Sequence, residues 1–110
     1  MSTTDLERSP FQNLPAYRYL RATDSVPRLG NTGPDPLARV KLFNPTGSGS
    51  WYIAEYDPKT RIAYGAVNLH EYETGYFSLA ELVQFRGQMG LPIERDLHWR
   101  PRRLSECEGS

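Results

Sequence analysis

Three polar residues near the C-terminus have the spacing of metal ligands on a β-strand. Glu94, Asp96 and His98 occupy alternate positions, so a strand would place all three side chains on one face. Carboxylate and imidazole groups bind divalent cations, and a nearby His70 would complete such a site. The alternative is the exposed polar face of an edge strand, with the carboxylates paired to arginines. The sequence favours this alternative, so we predict no metal ion and no other cofactor.

The rest of the sequence contains no complete catalytic motif. His70-Glu71 resembles the start of a zinc-protease helix motif, but Thr74 stands where the second histidine belongs. Residues 46–50 are rich in glycine and serine like a phosphate-binding loop, yet no lysine and helix follow them. With two histidines and no nucleophile-elbow context, no catalytic triad can be assembled. We therefore predict no catalytic residue, and the sequence favours a non-enzymatic protein.

Aromatic and basic residues instead predict a binding surface. Tyrosine rings stack on single-stranded bases while basic side chains contact the phosphates. The same residue types are enriched in the hot spots of protein interfaces. In a third interpretation, the N-terminal segment covers this face and the tyrosines only pack. The residues of this predicted surface are Arg39, Lys41, Tyr52, Tyr56 and Arg61.

A second basic cluster follows the last predicted strand. Arg100, Arg102 and Arg103 would either add phosphate contacts or form part of a solvated tail. The formal net charge of the chain is zero, so no global field attracts it to nucleic acid. Nucleic-acid binding would therefore depend on a local patch.

Composition predicts one domain in a reducing compartment. The chain has 110 residues, of which 38% are hydrophobic, and this is enough for a core. Cys107 has no second cysteine to pair with, which fits the cytosol. Neither a signal region nor an apolar run of membrane-spanning length is present in the sequence. We therefore expect a soluble cytoplasmic protein with no membrane association.

Residues 38–69 predict the centre of a β-sheet. Asp57, Pro58 and the two residues after them form a turn signal that would place Tyr56 opposite Arg61. Neither face of this hairpin is strongly polar, so we expect it to be covered on both sides or to leave one aromatic face for a partner. The predicted strands are residues 38–43, 51–56 and 61–69.

One helix and a last strand are predicted after this centre. Ser78 and Glu81 have capping-box spacing, in which each side chain accepts a hydrogen bond from the other residue's amide. Gly87 would end the helix in the left-handed conformation. Residues 70–75 are predicted to be a polar connector, and residues 90–101 an edge strand bracketed by prolines.

The ends of the chain are predicted to be irregular. Residues 1–36 form an N-terminal arm, with a short helix over residues 16–22 and a loop over residues 23–36. This loop is rich in proline and glycine, so we expect it to be mobile. An α+β domain follows over residues 37–104, and residues 105–110 form a polar tail.

Five stretches carry a resemblance to a known family. Over residues 38–104 the chain resembles the bacterial domain of unknown function 2958 family. Members look like accessory proteins of plasmids and integrative elements, often encoded near antirestriction or replication functions. The resemblance implies a mobile-element setting and transfers no catalytic residue. The stretches are Val40-Lys-Leu-Phe-Asn-Pro45, Trp51-Tyr-Ile53, Gly75-Tyr-Phe-Ser-Leu-Ala-Glu-Leu82, Arg86-Gly87 and Gly90-Leu-Pro-Ile-Glu-Arg-Asp-Leu97.

The sequence thus predicts an α+β fold, with an antiparallel sheet of about four strands, one short capped helix packed on it and irregular terminal arms. The first functional hypothesis is a non-enzymatic accessory protein that binds a host or element-encoded protein. The alternative is a nucleic-acid-binding accessory for single-stranded DNA or RNA, linked to replication, transfer or defence evasion. A metal-dependent enzyme built on Glu94, Asp96 and His98 is the third. The sequence does not set the oligomeric state.

Overall fold

Antiparallel sheets and one short helix form the architecture. In the computed structural model of this chain, the structure describes the backbone of residues 5–7 and all of residues 19–109. The helix α1 covers Leu79–Gln84. The strands are β1 (Asp5–Glu7), β2 (Leu20–Arg21), β3 (Leu37–Ala38), β4 (Val40–Phe43), β5 (Ser50–Asp57), β6 (Ile62–Asn68), β7 (Tyr72–Ser78), β8 (Glu94–Arg95) and β9 (Arg102–Arg103).

A five-stranded sheet lies at the centre, with strand order β7-β6-β5-β4-β8 and antiparallel pairing throughout. Two small sheets, β1-β2 and β3-β9, involve the ends of the chain. The predicted α+β fold is confirmed. The turn after β5 also forms as predicted, because the Asp57 carboxylate accepts hydrogen bonds from the Lys59 amide (2.9 Å) and the Thr60 hydroxyl (3.0 Å).

The strand β7 corrects the prediction of a polar connector over residues 70–75. Its seven residues pair with β6 in an unbroken register from Ile62 opposite Ser78 to Asn68 opposite Tyr72. This strand is difficult to predict from the sequence because several of its polar residues and Gly75 have low β-propensity. An edge strand tolerates them, since only one of its sides must pair.

The central hairpin differs from the predicted register in two ways. Asp57 pairs with Ile62, so Tyr56 lies opposite Ala63 rather than Arg61, and a β-bulge at Ala54 then shifts the register between Ile53 and Glu55. The bulge adds one residue to β5, so side chains after it change face. It also explains Gly65, because a Cβ atom there would lie 1.7 Å from the carbonyl oxygen of Tyr52.

Both faces of the central sheet carry a hydrophobic cluster, as expected for a hairpin covered on both sides. The bulge places Tyr56 in the first cluster, which α1 covers, while Tyr52 lies in the second cluster on the opposite face. Buried members of the first are Tyr19, Leu20, Val40, Leu42, Trp51, Ile53, Tyr56, Ala63, Leu79, Leu82 and Ile93. Those of the second are Ala38, Tyr52, Ala54, Ala66, Leu104 and Cys107.

The described part of the N-terminal arm packs against the sheet. Of the helix predicted over residues 16–22, residues 16–18 lie outside the described residues, and Leu20–Arg21 is a strand. The loop predicted over residues 23–36 is tied to β5, because the Gly30 and Thr32 amides donate to the buried Glu55 carboxylate (2.9 and 3.1 Å). The hydroxyl of Thr32 donates to the same carboxylate. These bonds satisfy a charge that would be costly to bury alone.

The C-terminal segment contributes a core residue where a polar tail was predicted. The strand β9 pairs with β3, and a 3-10 turn over Leu104–Glu106 brings Cys107 into the second cluster. Outside the cluster, the amide of Ser105 donates to the Asp35 carboxylate at 3.0 Å. Residues up to Cys107 are thus held by pairing and burial.

The helix α1 begins as predicted and ends earlier than predicted. The Ser78 hydroxyl accepts a hydrogen bond from the Glu81 amide at 3.2 Å, which confirms the cap. Gly87 does not take the left-handed conformation, since its φ is −86°. Instead it approaches the β4–β5 loop so closely that a Cβ atom would lie 2.5 Å from the Thr46 hydroxyl oxygen. Glycine is needed here for space and not for a helix cap.

Candidate functional site

The structure does not bring the metal-ligand candidates together on one strand face. Glu94 lies in β8, but the His98 amide donates to the Asp96 carboxylate at 2.9 Å in a turn that ends the strand. His70 lies beyond β6, near the opposite edge of the sheet. Across residues 5–7 and 19–109, no three His, Cys, Asp or Glu side chains are grouped to hold a metal ion.

The predicted aromatic surface does not form either. Tyr52 is 0% exposed and Tyr56 is 2% exposed, and they belong to clusters on opposite faces of the sheet. The bulge at Ala54 separates them, because it reverses the alternation of side chains between the two positions. Arg61 sits at the hairpin turn with a positive φ of 60°. These tyrosines pack in the core and present no ring for base stacking.

Buried hydroxyl and thiol groups in the second cluster are held in their neutral forms. Burial raises the pKa of the Cys107 thiol, which lies 3.3 Å from the carbonyl oxygen of Arg103 and donates to it. Burial likewise raises the pKa of Tyr52 and of Tyr72, and the Tyr72 hydroxyl donates to the carbonyl oxygen of Leu104. A buried neutral thiol is a poor nucleophile, so this cluster is structural.

The two groups of basic residues predicted separately meet at Trp99. The Arg102 guanidinium lies 4.6 Å from the ring centroid and the Lys41 ammonium lies 5.8 Å from it. The indole N–H donates to the carbonyl oxygen of Ala38 at 2.9 Å, which fixes the ring. We call Lys41, Trp99 and Arg102 the Trp99 cluster. It places two cations beside one anchored ring.

Other predicted basic residues have different surroundings. Arg103 is exposed, and its guanidinium donates to the carbonyl oxygen of Asp35 at 2.9 Å. Arg100 is exposed in the irregular segment before β9. Arg39 is half-buried, and its backbone amide donates to the carbonyl oxygen of Ile53 at 2.8 Å. The cluster at Trp99 therefore forms from only part of the predicted set.

The segment after α1 carries exposed apolar side chains on a built turn. Met89 is 91% exposed, and Phe85 and Leu91 are 36% and 38% exposed. The Gly87 amide donates to the carbonyl oxygen of Leu91 at 2.8 Å, which closes the turn. Met89 has a φ of 61°, in the left-handed region that non-glycine residues rarely adopt. We call residues 85–91 the Met89 turn.

An apolar groove adjoins the Met89 turn. It has a volume of about 390 Å³ and runs between α1 and the end of β7. Trp51, Phe77 and Leu82 provide apolar walls, and Glu81 and Gln84 lie at the helix side. Phe85 belongs to both the groove and the turn. The two features thus form one continuous surface with an apolar centre and polar margins.

This surface was not predicted from the sequence because the two glycines of the Met89 turn were assigned other roles. Gly87 was expected to end the helix, and Gly90 to begin a strand. The available signal was the pair of glycines, Gly87 and Gly90, on either side of Met89 and after the helix. Two glycines so close together indicate a turn and not a strand.

The fold and these surfaces define a small α+β protein, with a sheet covered on both faces and exposed apolar and basic features at its margins. The chain matches the family described as "Protein of unknown function (DUF2958)" over residues 16–107, and it belongs to that family. The match begins before and ends after the range over which the sequence resemblance was recognised. No curated protein and no solved structure matches the chain. None of the described helices is long and apolar enough to span a membrane.

Proposed function

We propose that this protein is a non-enzymatic accessory protein of a plasmid or integrative element. In this proposal it acts in the cytoplasm by binding a host or element-encoded protein through the Met89 turn and the adjoining groove. The family resemblance supports the mobile-element setting, and the single unpaired Cys107 is compatible with a reducing cytoplasm.

The conformation and exposure of Met89 carry the proposal. A non-glycine residue in the left-handed region costs on the order of 1 kcal/mol or more. An exposed methionine also gains no burial energy in the isolated protein, so neither feature stabilises the fold. Strained backbone conformations cluster at binding and catalytic sites. A partner that buries this side chain would recover the missing apolar contact.

The chemistry of the groove is compatible with a protein partner. Methionine is flexible and polarizable, so it adapts to irregular apolar surfaces. Trp51, Phe77 and Leu82 provide a wall into which an apolar side chain would fit. A central apolar pocket with a polar margin is the usual arrangement of an interface hot spot.

The test is site-specific photocrosslinking in bacterial cells that carry the element encoding the protein. A photoreactive amino acid replaces Met89, and in a matched control it replaces Lys59 in the β5–β6 turn. Lys59 is exposed and lies at the opposite end of β5 from the loop that contacts Gly87. We expect one discrete protein adduct from position 89 and none from position 59. Equal adduct patterns at both positions would contradict the proposal.

Nucleic-acid binding is a second candidate, and the Trp99 cluster is the observation that favours it. Lys41 and Arg102 lie on one anchored ring, where their charges would contact neighbouring phosphates. Fluorescence anisotropy of labelled single- and double-stranded oligonucleotides, at low and near-physiological salt, tests this candidate. We expect affinity that falls steeply with salt and with Lys41→Ala or Arg102→Ala, but not with Lys59→Ala. Absence of binding at low salt would exclude it.

A further inference from the structure

Among the residues that the structure describes, no strand pairs with the outer edge of β7. Bonded pairs alternate along an antiparallel ladder, so one hydrogen bond sets the orientation of the others. The Leu79 amide donates to the carbonyl oxygen of Arg61 at 2.9 Å, in the same register that pairs β6 with β7. Backbone groups of Phe77, Gly75 and Glu73 therefore point towards β6. Those of Tyr72, Thr74 and Tyr76 point outward, and no described strand pairs with them.

This edge lacks the features that normally protect a sheet from pairing with another chain. Natural edge strands are short, bulged, or interrupted by lysine or proline. The seven residues of β7 contain neither lysine nor proline, and their register with β6 has no irregularity. Tyr76 is 68% exposed in the middle of this open edge. The edge is therefore well suited to accept another strand.

Two clefts flank the edge on opposite faces of the sheet. The acidic cleft has a volume of about 260 Å³ and is lined by Val67, Leu69, His70, Glu71 and Glu73. The aromatic cleft has a volume of about 240 Å³, with Tyr64 and Tyr76 beside the 30–34 loop and Glu55. Val67 packs on the first cluster and Tyr64 on the second, which places the clefts on different faces.

The acidic cleft has the chemistry of a site for a lysine or arginine side chain. Such side chains lay an apolar stem on apolar surface and keep the charged end in water. Val67 and the half-exposed Leu69 would contact the stem, and the carboxylates of Glu71 and Glu73 would contact the charged end. Within residues 19–109, neither glutamate takes part in an ion pair.

We propose that β7 binds an extended segment of another protein as an added antiparallel strand. Backbone bonds to Tyr72, Thr74 and Tyr76 supply affinity, and the two clefts select side chains. Glu73 and Tyr76 are three residues apart and face opposite sides. The bound segment therefore carries an apolar residue for the aromatic cleft and, three residues later, a lysine or arginine for the acidic cleft.

Charge complementarity favours this occupant over a second copy of the chain. Residues 69–78 contain two glutamates and no lysine or arginine. In a β7–β7 pairing, the acidic cleft of each copy would therefore receive no lysine or arginine side chain from residues 69–78 of the partner. A basic segment from a different protein supplies the missing charge, and this site is separate from the Met89 turn.

Selection from a phage-displayed library of random peptides tests the proposal. The full chain is immobilised, and parallel selections use Thr74→Pro and the double variant Glu71→Gln/Glu73→Gln. Proline at position 74 removes an outward amide and no bond to β6, so the fold is retained. We expect wild-type selection to enrich an apolar residue followed three positions later by lysine or arginine. Thr74→Pro should abolish binding of the enriched peptides.

Loss of the two charges should weaken binding of the enriched peptides about fivefold. This factor corresponds to the free energy of about two cross-strand ion pairs. The matched control Glu94→Gln removes an acid from β8, at the opposite edge of the sheet, and should leave affinity unchanged. Failure of Thr74→Pro to fold leaves the charge variant as the deciding measurement. The proposal is overturned if no peptide is enriched, if enriched peptides lack the basic position, or if the charge variant binds them unchanged.

Discussion

The two edges of the central sheet differ in how they are protected. At one edge β8 has two paired residues, and the Arg95 guanidinium donates to the Asp24 carboxylate at 2.6 and 2.8 Å. Both side chains are only 8% exposed. At the other edge β7 has seven residues, and the backbone groups of Tyr72, Thr74 and Tyr76 point outward. One edge is closed by the N-terminal segment of the chain, and the other is open among the described residues.

This difference separates a structural edge from an edge available for binding. The ion pair that closes the β8 edge is buried. The desolvation cost of such a pair is offset only by good geometry and additional hydrogen bonds. Asp24 has such a bond, because it accepts from the Arg21 amide at 2.7 Å. Nothing comparable stabilises the outer side of β7 in the described residues. The chain thus protects the β8 edge as part of its fold and leaves the β7 edge available for binding.

The largest expected effect comes from breaking the closed edge. Arg95→Ala would leave the buried Asp24 carboxylate with only the more distant Arg21 guanidinium, at 3.9 Å, and we expect a loss of about 3 kcal/mol in the free energy of unfolding. Urea unfolding measures this change. Glu73→Ala, at the open edge, is the control and should change stability by less than about 0.5 kcal/mol.

A double variant distinguishes loss of the ion pair from loss of packing. Asp24→Asn/Arg95→Met removes both charges and keeps approximate side-chain volume, so it should be less destabilised than Arg95→Ala. Equal destabilisation of the two variants would show that packing, and not the unpaired charge, maintains this edge.

Alkaline pH tests the attachment of β7 to the C-terminal segment. The Tyr72 hydroxyl donates to the carbonyl oxygen of Leu104, and burial raises the pKa of Tyr72 above its ordinary value of 10.0. Because the folded pKa is the higher one, this stabilisation is fully present below pH 10.0 and is lost as pH rises towards the folded pKa. Burial raises the pKa of Cys107 in the same direction.

Tyr72→Phe should therefore lower stability at neutral pH by about 1 kcal/mol, the usual contribution of one hydrogen bond. It should also reduce the loss of stability as the pH rises above 10.0, as followed by urea unfolding. Tyr76→Phe alters an exposed hydroxyl and serves as the control. An unchanged alkaline profile in Tyr72→Phe would contradict a role for this phenol.

Local signals in the sequence predicted the elements that depend on near neighbours. The Ser78 cap, the Asp57 turn and the alternation over Val40–Phe43 each involve residues at most four positions apart. Contacts between distant residues were not predictable in this way. Asp24 and Arg95 are 71 residues apart, and no local pattern marks them as partners.

The candidate sites depended on such distant contacts and were predicted only in part. A one-residue bulge at Ala54 moved Tyr52 and Tyr56 to opposite faces, so the predicted surface was lost. The requirement for glycine at position 65 arises from the same bulge. Lys41 and Arg102 were both selected from sequence, but their common contact with Trp99 required the fold.

A variant in the Met89 turn should change the free energy of unfolding by a smaller amount and in the opposite direction. Met89→Gly places a residue in the left-handed conformation without steric cost, so stability should stay constant or rise by up to about 1 kcal/mol. The same change removes the exposed side chain that we propose for partner binding. Thermal unfolding measures the first effect, and loss of partner capture by the purified protein measures the second. A clear loss of stability would show that Met89 supports the fold.

Amide hydrogen exchange tests whether the outer edge of β7 is open. It needs no mutation and therefore perturbs the protein least. Amides that point towards β6, such as those of Gly75 and Phe77, are protected by ladder bonds, whereas the amides of Thr74 and Tyr76 face outward. We expect the outward amides to exchange at least about tenfold faster than their neighbours. An enriched basic peptide should then slow exchange at Thr74 and Tyr76 and leave Gly75 nearly unchanged. Uniform protection along β7 in the free protein would mean that its outer edge is already occupied, and the open edge would have to be sought elsewhere.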